Sequence, residues 1–295
     1  LQFRLGAATH VELTGEYSRL DYEESPTGNE SFGGGLALIR DLSESSFVSL
    51  TGEHEKVEFD EQPSSVDYDR TEATLAYQFS GARMQWLLEG GGAQIDRDGD
   101  KEDEALLRVR VRRKLSAAST VQLELGRDVS DSGALIATED SILPVDGSSA
   151  LIPAAGPVTT KYGRLSWSFI QRRTGLGFGI GRFEDRYDTQ SQSDRDRTEF
   201  DAFAYRILSG RTDVYFAAEH SNEDFTSVSS GFDETAGTAG LTVQLGVRFS
   251  VGLEYQYVRR NADDALADEY TENRGWLRVY YGARASLAER FAPDY

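Results

Sequence analysis

Aliphatic and arginine side chains alternate in residues 106–114, LLRVRVRRK, and this pattern is the clearest indication of the fold. The two parities are Leu107, Val109 and Val111 against Arg108, Arg110 and Arg112. Because side chains in a β-strand point to opposite faces with a period of two, this stretch predicts a strand with an apolar face and a guanidinium face. The rest of the sequence indicates which surroundings the two faces have.

The same alternation recurs along the whole chain. EATLAYQF (72–79), TVQLELGRD (120–128) and FSVGLEYQY (249–257) each place apolar residues on one parity and mostly polar residues on the other. Period two fits these segments far better than a helical period. The sequence therefore predicts an all-β protein.

Two kinds of connection separate the alternating segments. Short, tight turns lie near residues 8, 43, 81, 118, 174, 210, 246 and 284. Longer polar connections lie between them, at 23–31, 61–70, 96–104 (DRDGDKEDE), 188–197, 221–234 and 261–270, and the longest insertion is 131–159. One end of every hairpin is thus predicted to be tight and the other end long and polar.

This asymmetry favours a membrane barrel over a soluble sandwich. A soluble β-sandwich also alternates, but it has no systematic difference between short and long turns. Outer-membrane barrels combine short periplasmic turns with longer extracellular loops, and strands of about ten residues cross a bilayer at a tilt. The predicted fold is an all-β transmembrane antiparallel up-and-down β-barrel in the bacterial outer membrane.

The turns also predict the number of strands and the extent of the barrel. Seven hairpins between the eight short turns give fourteen strands, and LQFRL (1–5) alternates like the tail of one more descending strand, which favours a total of fourteen or sixteen. The barrel is expected over residues 1–284, with 131–159 as a long extracellular or lumen-folding loop and 285–295 as a C-terminal tail.

In such a barrel the aliphatic face meets lipid and the arginine face lines the lumen. The reverse arrangement would cost roughly 2–4 kcal/mol for each arginine near the bilayer midplane. Parity predicts these pore-lining residues: Arg83, Arg108, Arg110, Arg112, Arg164, Arg206, Arg278, Glu89, Glu124, Asp128 and Glu254. Two interpretations are open: cross-strand ion pairing, such as Arg110 with Glu124, or an arginine track that conducts anions.

The insertion 131–159 carries more apolar residues than a free surface loop would. Its candidate constriction residues are Leu135, Ile136, Leu143, Leu151 and Ile152. The insertion is expected to fold into the mouth of the barrel, to bind a protein partner or to be disordered.

Composition limits the other functions. The net charge of −19 argues against nucleic acid as a partner, and the absence of cysteine excludes disulfides and thiolate metal sites. The stretch 96–104 has carboxylates at calcium-like spacing, but its glycine is at the fourth position rather than the sixth. A solvated loop is the prediction there, with a divalent-ion site that bridges to lipopolysaccharide phosphates as the alternative.

Catalytic signals are poor. His10, His54 and His220 are scattered, and neither GxSxG nor HExxH occurs. GFGIG (177–181) is not followed by the lysine of a phosphate-binding loop, so it is interpreted as small lumenal side chains. We predict that the protein is not an enzyme and has no metal or cofactor.

The segments HVELTGEYSRLDYEE (10–24), SVGLEYQYVRRNADD (250–264) and EYTENRGWLRVYYG (269–282) resemble outer-membrane β-barrel proteins associated with exopolysaccharide and PEP-CTERM (exosortase) gene clusters. The resemblance lies in the style of strand and turn, over most of the chain. It implies a barrel with a part in polysaccharide export. Such barrels tend to end on an aromatic residue, whereas here about a dozen residues follow Gly282.

Three functions follow as hypotheses. The first is a channel for an acidic exopolysaccharide or for small anions, in contact with outer-membrane lipid and lipopolysaccharide. The second is a structural or assembly barrel with a plugged lumen that anchors a partner protein. The third is an outer-membrane enzyme with a dispersed site.

Overall fold

The computed structural model describes residues 1–20, 29–59, 67–97, 99–131, 157–187, 194–226, 230–262 and 269–281. These residues form fifteen strands: β1 Gln2–Arg4, β2 Thr9–Leu20, β3 Asn29–Ser43, β4 Ser46–Phe59, β5 Tyr68–Ser80, β6 Met84–Arg97, β7 Asp100–Lys114, β8 Ser119–Asp131, β9 Pro157–Ile170, β10 Thr174–Tyr187, β11 Arg195–Ile207, β12 Thr212–Phe225, β13 Ser230–Gln244, β14 Phe249–Ala262 and β15 Tyr270–Tyr281. Within these ranges, the chain contains no helix long and apolar enough to span a membrane.

All fifteen strands belong to one antiparallel sheet in which each strand pairs with its neighbours in the sequence. This up-and-down order confirms the predicted fold class. The alternation in LQFRL is confirmed as well, because β1 pairs with β2 through Phe3 and Val11 and through Arg4 and His10. β1 and β15 are the two ends of the sheet.

The alternation of tight and long connections sets two ends of the sheet, which we call the turn end and the loop end. Seven of the predicted short turns are present, and the one near residue 284 lies outside the described residues. The turn between β7 and β8 shows how a side chain stabilises one of these short turns. The hydroxyl of Ser116 accepts hydrogen bonds from the backbone N–H groups of Ala118 and Ser119, at 3.2 and 3.0 Å.

The predicted long connection at 96–104 is wrong. β6 continues to Arg97 and β7 begins at Asp100, so only two residues join them. Gly99 lies there with a φ of 94°, a left-handed conformation that glycine adopts without steric cost. Its N–H donates to Oδ1 of Asp96 at 3.1 Å.

The charges that made this segment resemble a loop are paired across the hairpin. The cross-strand contacts are Gln94 with Asp103 at 2.9 Å, Arg97 with Glu102 at 3.1 Å and Lys101 with Asp96 at 3.5 Å. Polar pairs that face each other across a ladder stabilise a sheet as apolar pairs do. The long strands β6 and β7 therefore extend farther toward the loop end than composition alone suggests.

Ladder partners share a face, so the register assigns every strand residue to one side of the sheet. The outward side carries the large exposed apolar residues: Leu13, Leu36, Leu50, Leu75, Leu107, Leu165, Phe178, Phe216, Leu253 and Leu277. An exposed apolar band of this extent is the lipid-facing surface of a membrane barrel. Val109 and Val111 lie on this side, as predicted.

Aromatic pairs lie on the same outward side near both ends of the strands. Tyr77 and Trp86 pack with their ring centroids 4.9 Å apart toward the turn end. Tyr17 and Phe32 pack at the same centroid separation toward the loop end. Aromatic rings at the two edges of an apolar band match the interfacial girdles of membrane barrels.

Candidate functional site: the inner wall

The second side of the sheet, which we call the inner wall, carries the charged residues. Arg108, Arg110 and Arg112 all lie on it, opposite Gly126, Glu124 and Gln122 of β8. A side chain on the inner wall of a barrel faces the lumen rather than lipid. The register therefore places the three arginines on one face, as the alternation predicts, and that they line a pore stays a prediction.

The arginines of β7 are paired with carboxylates. Arg108 contacts Glu89 of β6 at 2.8 Å and Asp128 of β8 at 2.5 Å, so it joins three strands. Arg110 donates from Nε to Oε1 of Glu124 at 2.6 Å. These contacts match the ion-pairing interpretation, including the specific pair that the sequence predicts.

Arg112 differs from its two neighbours in its surroundings. It is only 7% exposed, whereas the side chain of Arg110 is 55% exposed. Arg112, which of the three arginines lies nearest the turn end, is thus buried, whereas Arg110 is in contact with solvent. A row of three equally exposed arginines is not present.

A second ion-pair group lies on β9 to β11. Arg164 of β9 reaches across β10 to Glu199 of β11, at 3.2 Å, and also contacts Asp201. It crosses β10 at Gly179 and Gly181, whose missing side chains leave room on the inner wall. The glycines of GFGIG thus act as small inward-facing residues, as the sequence indicates.

A third group is buried at the loop end of β9 to β12. Asp185 accepts hydrogen bonds from Arg195 Nε and from the hydroxyl of Thr160, both at 2.8 Å. Arg195 also contacts Glu223 at 3.3 Å. Buried charges require such mutual compensation, because an unpaired buried charge is strongly destabilising.

Glycines and aromatic rings interlock on the same wall. Gly175 and Gly177 of β10 lie directly opposite Tyr205 and Phe203 of β11. A Cβ atom added at either glycine would collide with the facing ring, so these rings lie against the bare backbone of β10. Rings that lie along the wall take less of the lumen than rings that project into it.

Most of the predicted pore-lining residues lie on the inner wall. These are Arg108, Arg110, Arg112, Arg164, Arg278, Glu89, Glu124, Asp128 and Glu254. Arg278 and Glu254 are themselves paired, at 2.6 Å. Apart from the pair Arg110–Glu124, these ion pairs join residues that the sequence could place only on a common face.

Two of the predicted pore-lining arginines are not on the inner wall. Arg206 is opposite Thr174 and Val214, and it lies on the outward side at the turn end of β11. Arg83 lies in the turn between β5 and β6, outside both strands. The proposed constriction residues Leu135, Ile136, Leu143, Leu151 and Ile152 lie outside the described residues.

Sequence reasoning missed part of the site because it assigned 188–197 to a loop. β11 begins at Arg195, so Arg195 and Arg197 are strand residues of the inner wall. Arg197 contacts Glu199 at 3.1 Å, and its guanidinium carbon is 4.8 Å from the ring centroid of Phe183. The signal that would have found them is the alternation of charges that starts at Arg195.

The known structures that resemble this chain are barrels. It is similar to the copper transporter OprC, with a TM-score of 0.52 and 11% identity over 92% of this chain and 52% of that chain. It is also similar to the outer membrane channel DcaP of Acinetobacter baumannii (TM-score 0.48, 10% identity, 95% and 99% of the two chains). A further match is OmpT, an outer membrane protein of Vibrio cholerae (TM-score 0.46, 11% identity, 94% and 98%).

No family model and no curated protein sequence matches the chain. The similarity to OprC, at this level of identity, identifies the fold. The chain has the fold of bacterial outer-membrane β-barrels, and the predicted outer-membrane location agrees with that fold and with the outward apolar band.

Proposed function

We propose that the protein is a porin-like outer-membrane channel whose lumen is lined by paired charges. The observation that carries this proposal is the exposure of inward-facing arginines. The side chains of Arg110, Arg108 and Arg278 lie on the inner wall and are 55%, 38% and 39% exposed. Inward side chains that contact solvent support a wet lumen, because a packed interior would exclude water from them.

The size of the sheet supports the same function. Fourteen of its strands have 12 to 15 residues, which is enough to cross a bilayer at a tilt. Barrels of about 8 strands are filled by their own side chains, whereas porins of 16–18 strands leave an aqueous channel. This sheet is close to the size of the porins.

We further propose that the channel is weakly selective and passes small polar solutes. Arg108 and Arg110 have carboxylate partners within 2.8 Å, and Arg164 and Arg278 are paired as well. Paired charges produce little net field along the lumen, so the pairing argues against a strong anion track. Export of an acidic exopolysaccharide is a narrower proposal that rests on the sequence resemblance.

A non-catalytic role is part of the proposal. His54 and His220 lie on the outward side, where their Nδ1 atoms hydrogen-bond to Thr71 and Thr235 at 2.9 and 3.0 Å. The inward carboxylates described above have arginine or hydroxyl partners. This arrangement supports a polar wall rather than a set of groups prepared for proton transfer.

One observation favours the structural barrel as a second candidate. Phe203, Tyr205 and Tyr215 form a buried apolar cluster on the inner wall of β11 and β12. Large inward side chains that pack against one another are how small barrels fill their own interior. A barrel whose lumen is filled would then serve as an anchor for a partner rather than as a channel.

Reconstitution separates these two candidates. A folded barrel should migrate differently from a boiled sample on a gel, because the intact sheet resists SDS. Protein with this property should give discrete conductance steps in planar bilayers and should admit small sugars into liposomes. Folded protein that conducts no current and admits no sugar would favour the anchoring barrel.

A further inference from the structure

We infer that the loop ends of β8 and β9 lie inside the barrel, over the inner wall of β5 to β7, and that they form the constriction of the channel. The overlap stands on the geometry of the sheet. Its role as a constriction rests on the proposed channel function. The narrowest part of the channel is then formed by strand residues rather than by the apolar residues of the insertion 131–159.

The first observation is that the ladder between β7 and β8 ends before either strand ends. β7 and β8 pair only from Lys114 with Thr120 up to Leu107 with Arg127. β7 nevertheless continues to Asp100, paired with β6 over its whole length, and β8 remains paired with β9 to its own end. The sheet therefore divides between β7 and β8 toward the loop end, and each half keeps its other partner.

The second observation is that opposite faces meet across this division. Val129 has outward parity in β8, yet it is 2% exposed and belongs to an apolar cluster with Ile95 and Leu106 of the inner wall. Arg127 also has outward parity, and it pairs with Glu104, which lies on the inner wall of β7. Contacts of this kind arise only where the outward side of β8 covers the inner side of β6 and β7.

The third observation fixes how far β8 extends over the wall. The guanidinium of Arg70 on β5 donates a hydrogen bond to the backbone carbonyl of Val129 at 2.5 Å. Three strand spacings within a sheet are about 14 Å, which is too far for this contact if β8 stayed in the wall. Arg70 is held in turn by Glu55 at 2.7 Å and Glu72 at 3.2 Å.

β9 follows β8 into this position. Val158, Thr159 and Thr160 are consecutive strand residues, and all three are buried, so both faces of β9 are covered there. On its other edge β9 keeps its register with β10, where Thr160 is opposite Asp185. The pair β8–β9 thus forms an inner layer that narrows the lumen, with Arg70 holding its edge.

The chain lacks cysteine, so engineered thiols test the overlap directly. Ile95→Cys with Val129→Cys should be joined by a short thiol-to-thiol crosslinker, because both residues belong to one cluster. The matched control is Ala105→Cys with Val129→Cys, the pair that would be opposite each other if the β7–β8 ladder continued. Crosslinking of the control pair and not of the first pair overturns the overlap, whatever the channel does.

Conductance tests the constriction. Arg70→Gln should raise the single-channel conductance roughly twofold, because conduction is set at the narrowest part of a pore. Arg206→Gln, which removes an arginine on the outward side of β11, should leave it near the wild-type value. Crosslinking residues 95 and 129 in the Arg70→Gln background should restore the wild-type conductance.

The outcomes separate the two claims. An unchanged conductance in Arg70→Gln, with the 95–129 crosslink formed, overturns the constriction while the channel stands. A folded wild-type protein without any conductance overturns the proposed channel and the constriction with it, and the crosslink still decides the overlap.

Discussion

The Nε atom of Arg110 donates a hydrogen bond to Oε1 of Glu124, 2.6 Å away across the β7–β8 ladder. The two residues are direct ladder partners, and both lie on the inner wall. With Arg108 held by Glu89 and Asp128, this pair shows that the arginines of β7 belong to a compensated wall.

Charge compensation predicts weak ion selectivity. In a salt gradient across a planar bilayer, the wild-type reversal potential should stay close to zero, because the inner arginines are paired with carboxylates. Arg108→Gln, Arg110→Gln and Arg112→Gln combined should lower the heat stability, since Glu89, Glu124 and Asp128 lose their partners. A strong wild-type preference for anions, lost in this triple variant without loss of stability, would support the arginine track instead.

The pair Arg110–Glu124 should contribute modestly to stability. The side chain of Arg110 is more than half exposed, and exposed pairs typically contribute about 0.2–1 kcal/mol. A double-mutant cycle with Arg110→Gln and Glu124→Gln, measured by denaturant unfolding, should give a coupling in this range. The same cycle for Arg108 and Glu89 should give a larger value because both side chains are less exposed. Equal couplings would mean that burial does not control these pairs.

Adjacent residues of β4 test which face meets lipid. Leu50 is outward and 55% exposed, and Thr51 is on the inner wall. Leu50→Arg should cost roughly 2–4 kcal/mol of unfolding free energy near the midplane. Thr51→Arg should be tolerated, since its side chain faces the polar wall. Comparable losses in the two variants would show that the assigned faces are wrong.

The contact between Gly177 and Phe203 predicts a steric effect. Gly177→Ala places a methyl group in the ring of Phe203, and overpacking of this kind typically costs about 1–3 kcal/mol. Gly275→Ala is the control, because a Cβ atom there has no neighbour within 4 Å. Phe203→Leu should relieve part of the loss in Gly177→Ala, as unfolding measurements on the double variant would show. Additive effects of the two substitutions would contradict direct contact.

The fold and most of the wall were predictable because they depend on local rules. Alternation is a property of each strand by itself, and the difference between short and long turns can be read along the chain. The hairpin at 96–104 was mispredicted for a physical reason. Its carboxylates and basic residues suggest a solvated loop until register shows that they face each other as ion pairs.

Arg206 shows where parity reasoning fails. In most strands the larger apolar residues face outward, but in β11 Phe203 and Tyr205 face inward and Ala202 and Ala204 face outward. The rings turn inward because the glycines of β10 leave space for them, and that space belongs to a different strand. A rule that uses one strand alone therefore assigns Arg206 to the wrong side.

An up-and-down sheet with an apolar face and a charged face was predictable from local sequence, because a strand sorts its own side chains at period two. Apart from the pair Arg110–Glu124, which charges pair across strands, and where the sheet divides, became visible in the folded chain. Pairing depends on register between strands, and the hydrogen bond of Arg70 to Val129 joins residues 59 positions apart. No local pattern encodes such a contact, since it exists only once β8 has moved over the inner wall.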